Sequence, residues 1–200
     1  MKKLFSINDV TPAVEFRKEK SSVLSQKFEQ QCDFKIENLK QLLGKFPEKD
    51  EILFLWSIKS FNAFTFIPYI LSLFDSISEL VITTYSIDIP TIDEISKYLE
   101  TGRILNISFF ISDSANFRIP KVMDHLNQFM VNFENRASVR FSWNHSKVTL
   151  IKTGNHHFVF EGSGNFSTNS RHEQYIFLDS EKVYNFRKNW IINELYGRTT

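Results

Sequence analysis

Several features that define common protein classes are missing from this chain of 200 residues. Cys32 is the only cysteine, so no intramolecular disulfide can form and a disulfide-stapled secreted scaffold is excluded. No apolar run approaches about 18 residues without a charge, so a membrane-spanning helix is not expected. Polar and charged residues interrupt the basic N-terminal stretch, so an ordinary secretory signal is not expected either. These absences favour a cytoplasmic protein.

The chain has no large excess of either charge, since 24 Lys and Arg residues stand against 23 Asp and Glu residues. The formal net charge of +1 does not by itself indicate a nucleic-acid-binding protein. Locally the balance differs. Between residues 138 and 172 the only acid is Glu161. The bases and histidines there are Arg140, Lys147, Lys152, Arg171, His145, His156, His157 and His172. This stretch is either a chance basic surface or part of a groove that attracts polyanions.

The chain is rich in phenylalanine, with 21 residues. After residue 50, short apolar runs alternate with stretches of helical periodicity. The predicted strands span residues 52–58, 79–87, 103–111, 137–143 and 174–178. The predicted helices span residues 63–74, 91–100, 120–133 and 181–195. This order predicts an α/β layered domain with a mixed, largely parallel sheet flanked by helices. Residues 153–155, Thr-Gly-Asn, predict a hairpin turn.

Residues 1–50 form the more polar part of the chain. From Ser21 to Lys45 the apolar residues recur at spacings of three and four, which is typical of an amphipathic helix. Gly44 and Pro47 mark the expected end of that helix. The sequence therefore predicts an N-terminal helical arm over residues 1–50 and a single domain over residues 51–200.

The side chains best suited to catalysis or ligand binding lie between positions 145 and 173. His145 and Lys147 are two apart, so in a strand their side chains would project from the same face. Fifteen residues after the lysine comes the segment Gly-Ser-Gly-Asn at 162–165, whose glycines let the backbone approach other groups closely. Glu173 follows eight residues later. This set of side chains is suited to holding and attacking a phosphate.

The same stretch resembles the HKD signature of the phospholipase D superfamily. That signature is His-x-Lys, four residues, Asp, six residues, and then Gly-Ser-x-Asn. The matching residues are His145, Lys147 and the segment 162–165, with Glu173 as a downstream acid. Lys152 stands where the family has Asp, and the interval to Gly162 is longer than in the family pattern. The surrounding pattern of strands and helices resembles the family over residues 50–196.

The resemblance implies a role for each of these residues. His145 would attack phosphorus to give a phosphohistidine intermediate, and Lys147, Ser163 and Asn165 would bind the substrate phosphate. Glu173 would orient the imidazole by accepting a hydrogen bond from its other ring nitrogen. Neither a metal ion nor another cofactor is implied, because lysines and asparagines would carry the electrostatic work.

The resemblance also implies a homodimer. A complete active site of this superfamily uses two copies of the signature that face each other, and this chain contains a single His-x-Lys, at His145. Two identical chains related by a twofold axis would place both copies of His145 around one phosphate.

Three functions remain open from the sequence. The first is a metal-independent nuclease acting on DNA or RNA, which the resemblance favours because short members of the superfamily with one motif copy are most often nucleases. The second is a phospholipase D-type lipid phosphodiesterase, and the third is a non-catalytic nucleic-acid-binding module of the same fold, which Lys152 at the motif Asp position keeps open. Tyr85, Ser86, Asp113 and Ser114 follow predicted strands, where α/β sheets often place ligand contacts.

Overall fold

The computed structural model describes side chains over most of the chain after residue 42 and the backbone alone of some further residues. Side chains are described for residues 43, 46–49, 51–57, 62–167 and 172–193. The backbone alone is described for residues 20–25, 30–33, 58 and 194–196. Within these residues the chain forms nine strands and five α-helices.

The elements follow one another in a simple order. The strands are β1 (Lys20–Ser25), β2 (Gln30–Asp33), β3 (Ile52–Ile58), β4 (Glu79–Thr84), β5 (Ile107–Ser112), β6 (Ala137–Ser142), β7 (Val148–Thr153), β8 (His156–Gly162) and β9 (His172–Asp179). The helices are α1 (Phe66–Leu71), α2 (Ile89–Glu100), α3 (Ala115–Arg118), α4 (Pro120–Asn132) and α5 (Glu181–Trp190). A 3₁₀ turn at Ala63–Thr65 precedes α1, and a π-helical turn at Ile191–Tyr196 follows α5.

All nine strands form one sheet in the order β2-β1-β3-β9-β8-β7-β4-β5-β6. The mixed α/β architecture predicted from the sequence is therefore confirmed. The expectation of a largely parallel sheet is wrong, because only the β4–β5 and β5–β6 pairs are parallel among the described strands. The strands β3 to β6 do run in one direction, as helical crossovers require. However, the antiparallel strands β7, β8 and β9 lie between β3 and β4.

Two apolar layers cover the sheet, one on each face. Helices α1, α2 and α4 contribute Phe66, Ile92 and Leu126 to the larger cluster, where each is fully buried. On the other face α5 contributes Tyr184, which packs with residues such as Leu150 and Val159. Burial of several such side chains on both faces, each contributing roughly 1.5–3 kcal/mol, fixes the sheet between its helices.

The start of α2 and the turn between β7 and β8 lie where the sequence predicts them. The Asp88 side chain caps α2 by accepting a hydrogen bond from the Thr91 backbone N–H at 3.0 Å, and Pro90 occupies the first turn. The predicted hairpin turn joins β7 to β8, and Gly154 adopts the left-handed conformation there with φ of 51°. Gly is favoured at such a position because it has no Cβ.

The N-terminal helix is partly a wrong prediction. Residues 20–25 form β1, which pairs antiparallel with β3, and residues 30–33 form β2 beside it. Backbone pairing with the exposed edge of β3 has prevailed over the helical spacing of apolar residues. Residues 1–19 and 34–42 lie outside the described residues, so the remainder of the predicted arm and the division of the chain at residue 50 stay predictions.

No helix in the described part of the chain is both long enough and apolar enough to cross a membrane.

Candidate active site

The predicted site residues gather at one end of the sheet. Strands β4, β5, β6 and β8 end there, and the antiparallel strands β7 and β9 begin there. A surface cavity of about 810 Å³ opens at this end. It is lined by Tyr85, Ser112, Asp113, Ser114, Trp143, Asn144 and His145. The carboxyl ends of parallel strands are the usual place for a ligand site in an α/β sheet.

His145 and Lys147 lie in the loop between β6 and β7, and not in a strand as the sequence predicted, because β6 ends at Ser142. A buried side chain fixes this loop. The Asn144 amide N–H donates to the Phe110 carbonyl at 3.0 Å, and the Asn144 Oδ1 accepts from the Ser146 backbone N–H at 2.9 Å. Because Asn144 is only 5% exposed, water cannot readily replace these bonds, and the loop has one preferred conformation.

Lys147 and His145 are in direct contact. The Lys147 Nζ lies 3.0 Å from the His145 Nδ1 and also donates to the His145 carbonyl at 2.8 Å. A neutral imidazole carries a lone pair on one of its ring nitrogens, which can act as a nucleophile, whereas the ammonium group of Lys147 can only donate hydrogen bonds. The ring of Tyr85 packs against the imidazole with its centroid 4.7 Å away. The pair therefore places a nucleophile and a positive charge together at the cavity.

Lys147 is also electrostatically perturbed. Partial burial lowers the pKa of the Lys147 ammonium below its ordinary value, and the Glu173 carboxylate opposes this shift by raising the pKa. The charge on Lys147 is thus partly desolvated, which strengthens its attraction for an incoming phosphate. The influence of Glu173 on Lys147 shows that the loop and the start of β9 belong to one electrostatic cluster.

Ser163 and Glu173 form the second half of the site. The Ser163 hydroxyl donates to the Glu173 carboxylate, and the Gln174 backbone N–H donates to the Ser163 Oγ at 3.1 Å. In the described residues the imidazole of His145 contacts Lys147 and Tyr85, and the carboxylate of Glu173 contacts Ser163. The role of Glu173 in orienting an imidazole stays a prediction.

Both glycines of the segment 162–165 are required by close backbone approach. A Cβ on Gly162 would lie 2.2 Å from the Gln174 carbonyl oxygen, and one on Gly164 would lie 2.0 Å from the Tyr175 hydroxyl. The Gly162 N–H donates to the Lys147 carbonyl at 3.2 Å, which ties this segment to the His145–Lys147 loop. Any larger residue at these positions would separate the two halves of the motif.

Asn165 lies beside the end of β4. Its Oδ1 is 3.4 Å from the Thr84 Oγ1, while the next residue, Tyr85, contacts the His145 ring. Two consecutive residues at the carboxyl end of β4 therefore hold Asn165 and His145 near each other. Of the five predicted site residues, His145 and Lys147 form one contact pair and Ser163 and Glu173 another, and Asn165 stands beside them on Thr84.

The departures from the family pattern have a structural explanation. The residues between Lys147 and Gly162 form the hairpin β7–β8, in which Val148 pairs with Glu161, so a longer hairpin still returns its two ends to the same place. Lys152 lies near the turn of that hairpin, at the opposite end of the sheet from the site, and pairs in register with Glu79. Lys152 therefore lies away from the end of the sheet that carries the predicted site residues.

One cation at the site was not identified from the sequence. Arg118, at the end of α3, places its guanidinium 3.9 Å above the Tyr85 ring and donates to the Tyr85 carbonyl at 2.7 Å. It also donates to the Ser114 hydroxyl at 3.1 Å. The sequence carries no signal for this contact, because Arg118 and Tyr85 are 33 residues apart and join only when β4 and β5 pair.

The local charge differs from the basic stretch seen in the sequence. Glu161, the only acid of that stretch, is held by a two-point ion pair with Arg187 of α5, in which Nη2 lies 2.8 Å from Oε2. Of the four bases, Lys147 is at the site, Lys152 is remote from it, Arg140 lies within β6 opposite Phe110, and Arg171 lies outside the described residues. Lys147 and Arg118 supply positive charge beside the cavity through their contacts with His145 and Tyr85.

Comparison with solved structures establishes the type of fold. A polyphosphate kinase from Porphyromonas gingivalis superimposes with a TM-score of 0.54 and 13% identity, over 74% of this chain and 26% of that protein. A phosphatidylserine synthase from Haemophilus influenzae Rd KW20 superimposes with a TM-score of 0.50 and 16% identity, over 80% of this chain and 44% of that protein. Both have phospholipase D-type folds, so the predicted fold is confirmed.

At such low identity the similarity concerns the fold alone. The chain spans less than half the length of either protein. No family model matches the sequence. No curated protein matches it either.

Proposed function

We propose that the protein is a metal-independent phosphodiesterase, and specifically a nuclease that cleaves DNA or RNA through a phosphohistidine intermediate. The observation that carries the proposal is the contact between the Lys147 ammonium and the His145 imidazole at the edge of an open cavity. The segment that contains Ser163 and Asn165 is tied to the same loop through Gly162. A nucleophile, a cation and hydrogen-bonding groups are the components that phosphoryl transfer needs.

The chemistry proceeds in two steps. In the first, a ring nitrogen of His145 attacks phosphorus, the phosphorus–oxygen bond to the leaving nucleoside breaks, and the partner subunit's His145 donates its proton to the leaving oxygen. In the second, the same imidazole of the partner takes a proton from water, and the resulting hydroxide displaces His145 from phosphorus. Lys147 and Asn165 stabilise the charge on the phosphoryl oxygens in both transition states.

The homodimer belongs to the same proposal. One His145 cannot act both as nucleophile and as proton donor in a single step, so a second copy must supply the proton at the cavity beside it. The position of Lys152 at the far end of the sheet weakens the case for a non-catalytic module, because the departure lies away from the phosphate-binding residues.

The proposal is tested by incubating the purified protein with single-stranded DNA, plasmid and RNA in excess EDTA. We expect cleavage that EDTA does not reduce, because the electrostatic groups belong to the protein. Vesicles of phosphatidylcholine serve as the second substrate. Release of choline with no cleavage of nucleic acid would identify a lipid phosphodiesterase instead, and binding of nucleic acid without turnover would identify a binding module.

The pH profile offers a more specific prediction. Because burial lowers the pKa of Lys147, this group loses its proton at a lower pH than an exposed lysine does. In the His145→Ala background, which lacks the general acid, we expect the affinity for a single-stranded oligonucleotide to fall on the alkaline side, with an apparent pKa below the ordinary lysine value of 10.5. In Lys147→Arg this limb should disappear, since arginine stays protonated. In Glu173→Gln the limb should move to lower pH, since the carboxylate raises the pKa of Lys147. An unchanged limb in both variants would contradict the assignment.

A further inference from the structure

A tryptophan side chain beside the site is almost completely exposed to solvent. Trp143 is 97% exposed, whereas most large apolar side chains in the described residues are buried. Tryptophan is the residue with the largest apolar surface to lose from water, so such exposure at a cavity is costly unless a ligand uses it. Trp143 lines the same cavity as His145, two residues away from it along the loop.

The backbone around Trp143 is held firmly although its side chain is not covered. On one side the Ser142 carbonyl accepts from the Asp113 N–H at 2.9 Å, and on the other the buried Asn144 is bonded to Phe110. The indole is therefore presented by an ordered loop. Because the backbone of the loop is already ordered, less conformational freedom is lost when a base stacks on the indole than if the loop had to become ordered on binding.

The charged side chains around the cavity indicate which class of ligand could stack an aromatic ring on Trp143. Lys147 and Arg118 supply two cations near the imidazole, and Asp113 is the one acid that lines the cavity. A second exposed aromatic, Phe117, is 89% exposed and precedes Arg118 on α3. Cations that alternate with exposed aromatic rings are the pattern by which proteins bind single-stranded nucleic acids, with phosphates on the cations and bases on the rings.

We propose that Trp143 is a base-stacking platform and that the substrate is single-stranded nucleic acid, with the base next to the scissile phosphate stacked on the indole. The proposal rests on the proposed nuclease function and adds the substrate class to it. A duplex is disfavoured because a base that stacks on the indole must first leave its own stack and its pairing partner, which costs free energy. A phospholipid headgroup, by contrast, has a phosphate but no aromatic ring.

The test compares two ligands that differ only in their bases. The dissociation constant of a 12-residue oligothymidylate and that of an abasic deoxyribose-phosphate 12-mer are measured in the His145→Ala background, so that neither is cleaved. We expect Trp143→Ala to weaken oligothymidylate binding by about 5- to 150-fold and to leave abasic binding unchanged. Trp143→Phe should retain most of the affinity. A duplex of the same length should bind more weakly than the single strand.

A matched control comes from an aromatic residue at another surface pocket. Phe186, on α5, is 64% exposed, and Phe186→Ala should change neither dissociation constant. Equal loss of both ligands in Trp143→Ala, or no loss of either, would overturn the proposal. Conversion of a dimer to a monomer by Trp143→Ala in gel filtration would also overturn it, because the ring would then be a subunit contact. Base-dependent binding without any cleavage by the wild-type protein would instead contradict the nuclease proposal and leave the stacking platform intact.

Discussion

The variant His145→Ala should lose essentially all EDTA-resistant cleavage of nucleic acid, with kcat reduced on the order of 10⁴- to 10⁶-fold. Alanine has no nitrogen to attack phosphorus and none to protonate the leaving oxygen, and a symmetric dimer would lose both groups at once. The His145 side chain is exposed, so its removal should leave the fold and the melting temperature nearly unchanged. Cleavage is followed by gel electrophoresis, and the fold by circular dichroism.

The control is His125→Ala. His125 is partly exposed, its ring contacts Asp93 on α2, and neither residue lines the cavity. This variant, purified in parallel, should cleave at the wild-type rate, which shows that loss of activity in His145→Ala is specific to that residue, while the loss itself excludes a contaminating nuclease. Equal activity in His145→Ala and the wild type would contradict the assignment of the nucleophile.

Mixed dimers distinguish an active site that needs both chains from one that is complete in each chain. When wild-type and His145→Ala chains are refolded together in equal amounts, random pairing yields about a quarter wild-type dimers. If each reaction needs both copies of His145, activity should fall to about a quarter of that of the same total amount of wild-type protein. Activity of about a half would mean that each chain acts alone, and would contradict the dimeric site.

The second large effect is expected at Gly164. In Gly164→Ala the added Cβ would lie 2.0 Å from the Tyr175 hydroxyl and 2.9 Å from the Tyr175 Cζ. Tyr175 is only 3% exposed and packs against Phe66, so it cannot readily swing away and the segment 162–165 must move. We expect a loss of about 1–3 kcal/mol in the free energy of unfolding. We also expect a loss on the order of 10²-fold in kcat/KM, because Asn165 and Ser163 shift away from the phosphate.

Gly154→Ala provides a matched control for Gly164→Ala. Gly154 has a φ of 51°, and nothing lies within 4 Å of the position that an added Cβ would take, so alanine costs about 1–2 kcal/mol through backbone strain alone. The two variants should have comparable denaturation midpoints, while only Gly164→Ala loses activity. Adding Tyr175→Phe to Gly164→Ala removes the closest contact and should restore part of the activity. Full activity in Gly164→Ala would show that the placement of this segment is not critical.

Much of the fold could be predicted from local pattern. The strands and helices from β3 to β6 could be predicted because each apolar run is short and is separated from the next by a stretch with helical periodicity. The insertion of β7, β8 and β9 between β3 and β4 could not be predicted, because strand order depends on pairings between distant segments. The strand at residues 20–25 was mistaken for helix for the same reason, since its partner is the edge of β3.

The candidate site shows the same division. His145, Lys147, Ser163, Asn165 and Glu173 could be proposed as site residues because they lie within one segment of the sequence, and their roles stay predictions. The residues that position this segment were not identified from the sequence, because their role depends only on where they lie in the folded structure.

The buried amide of Asn144 and the guanidinium of Arg118 on Tyr85 are examples of such support. A polar side chain that becomes buried, or a cation that stacks on a ring from another strand, has no local signature in the sequence.

By itself the sequence determined which side chains are available for phosphate chemistry and where most helices and strands begin, since residue type and short-range periodicity are local properties. Only the tertiary structure decided that Lys147 contacts His145, that Lys152 lies at the far end of a hairpin, and that Trp143 faces the cavity. Those facts follow from the pairing of strands that are distant in the chain, which the cooperative burial of two apolar layers enforces.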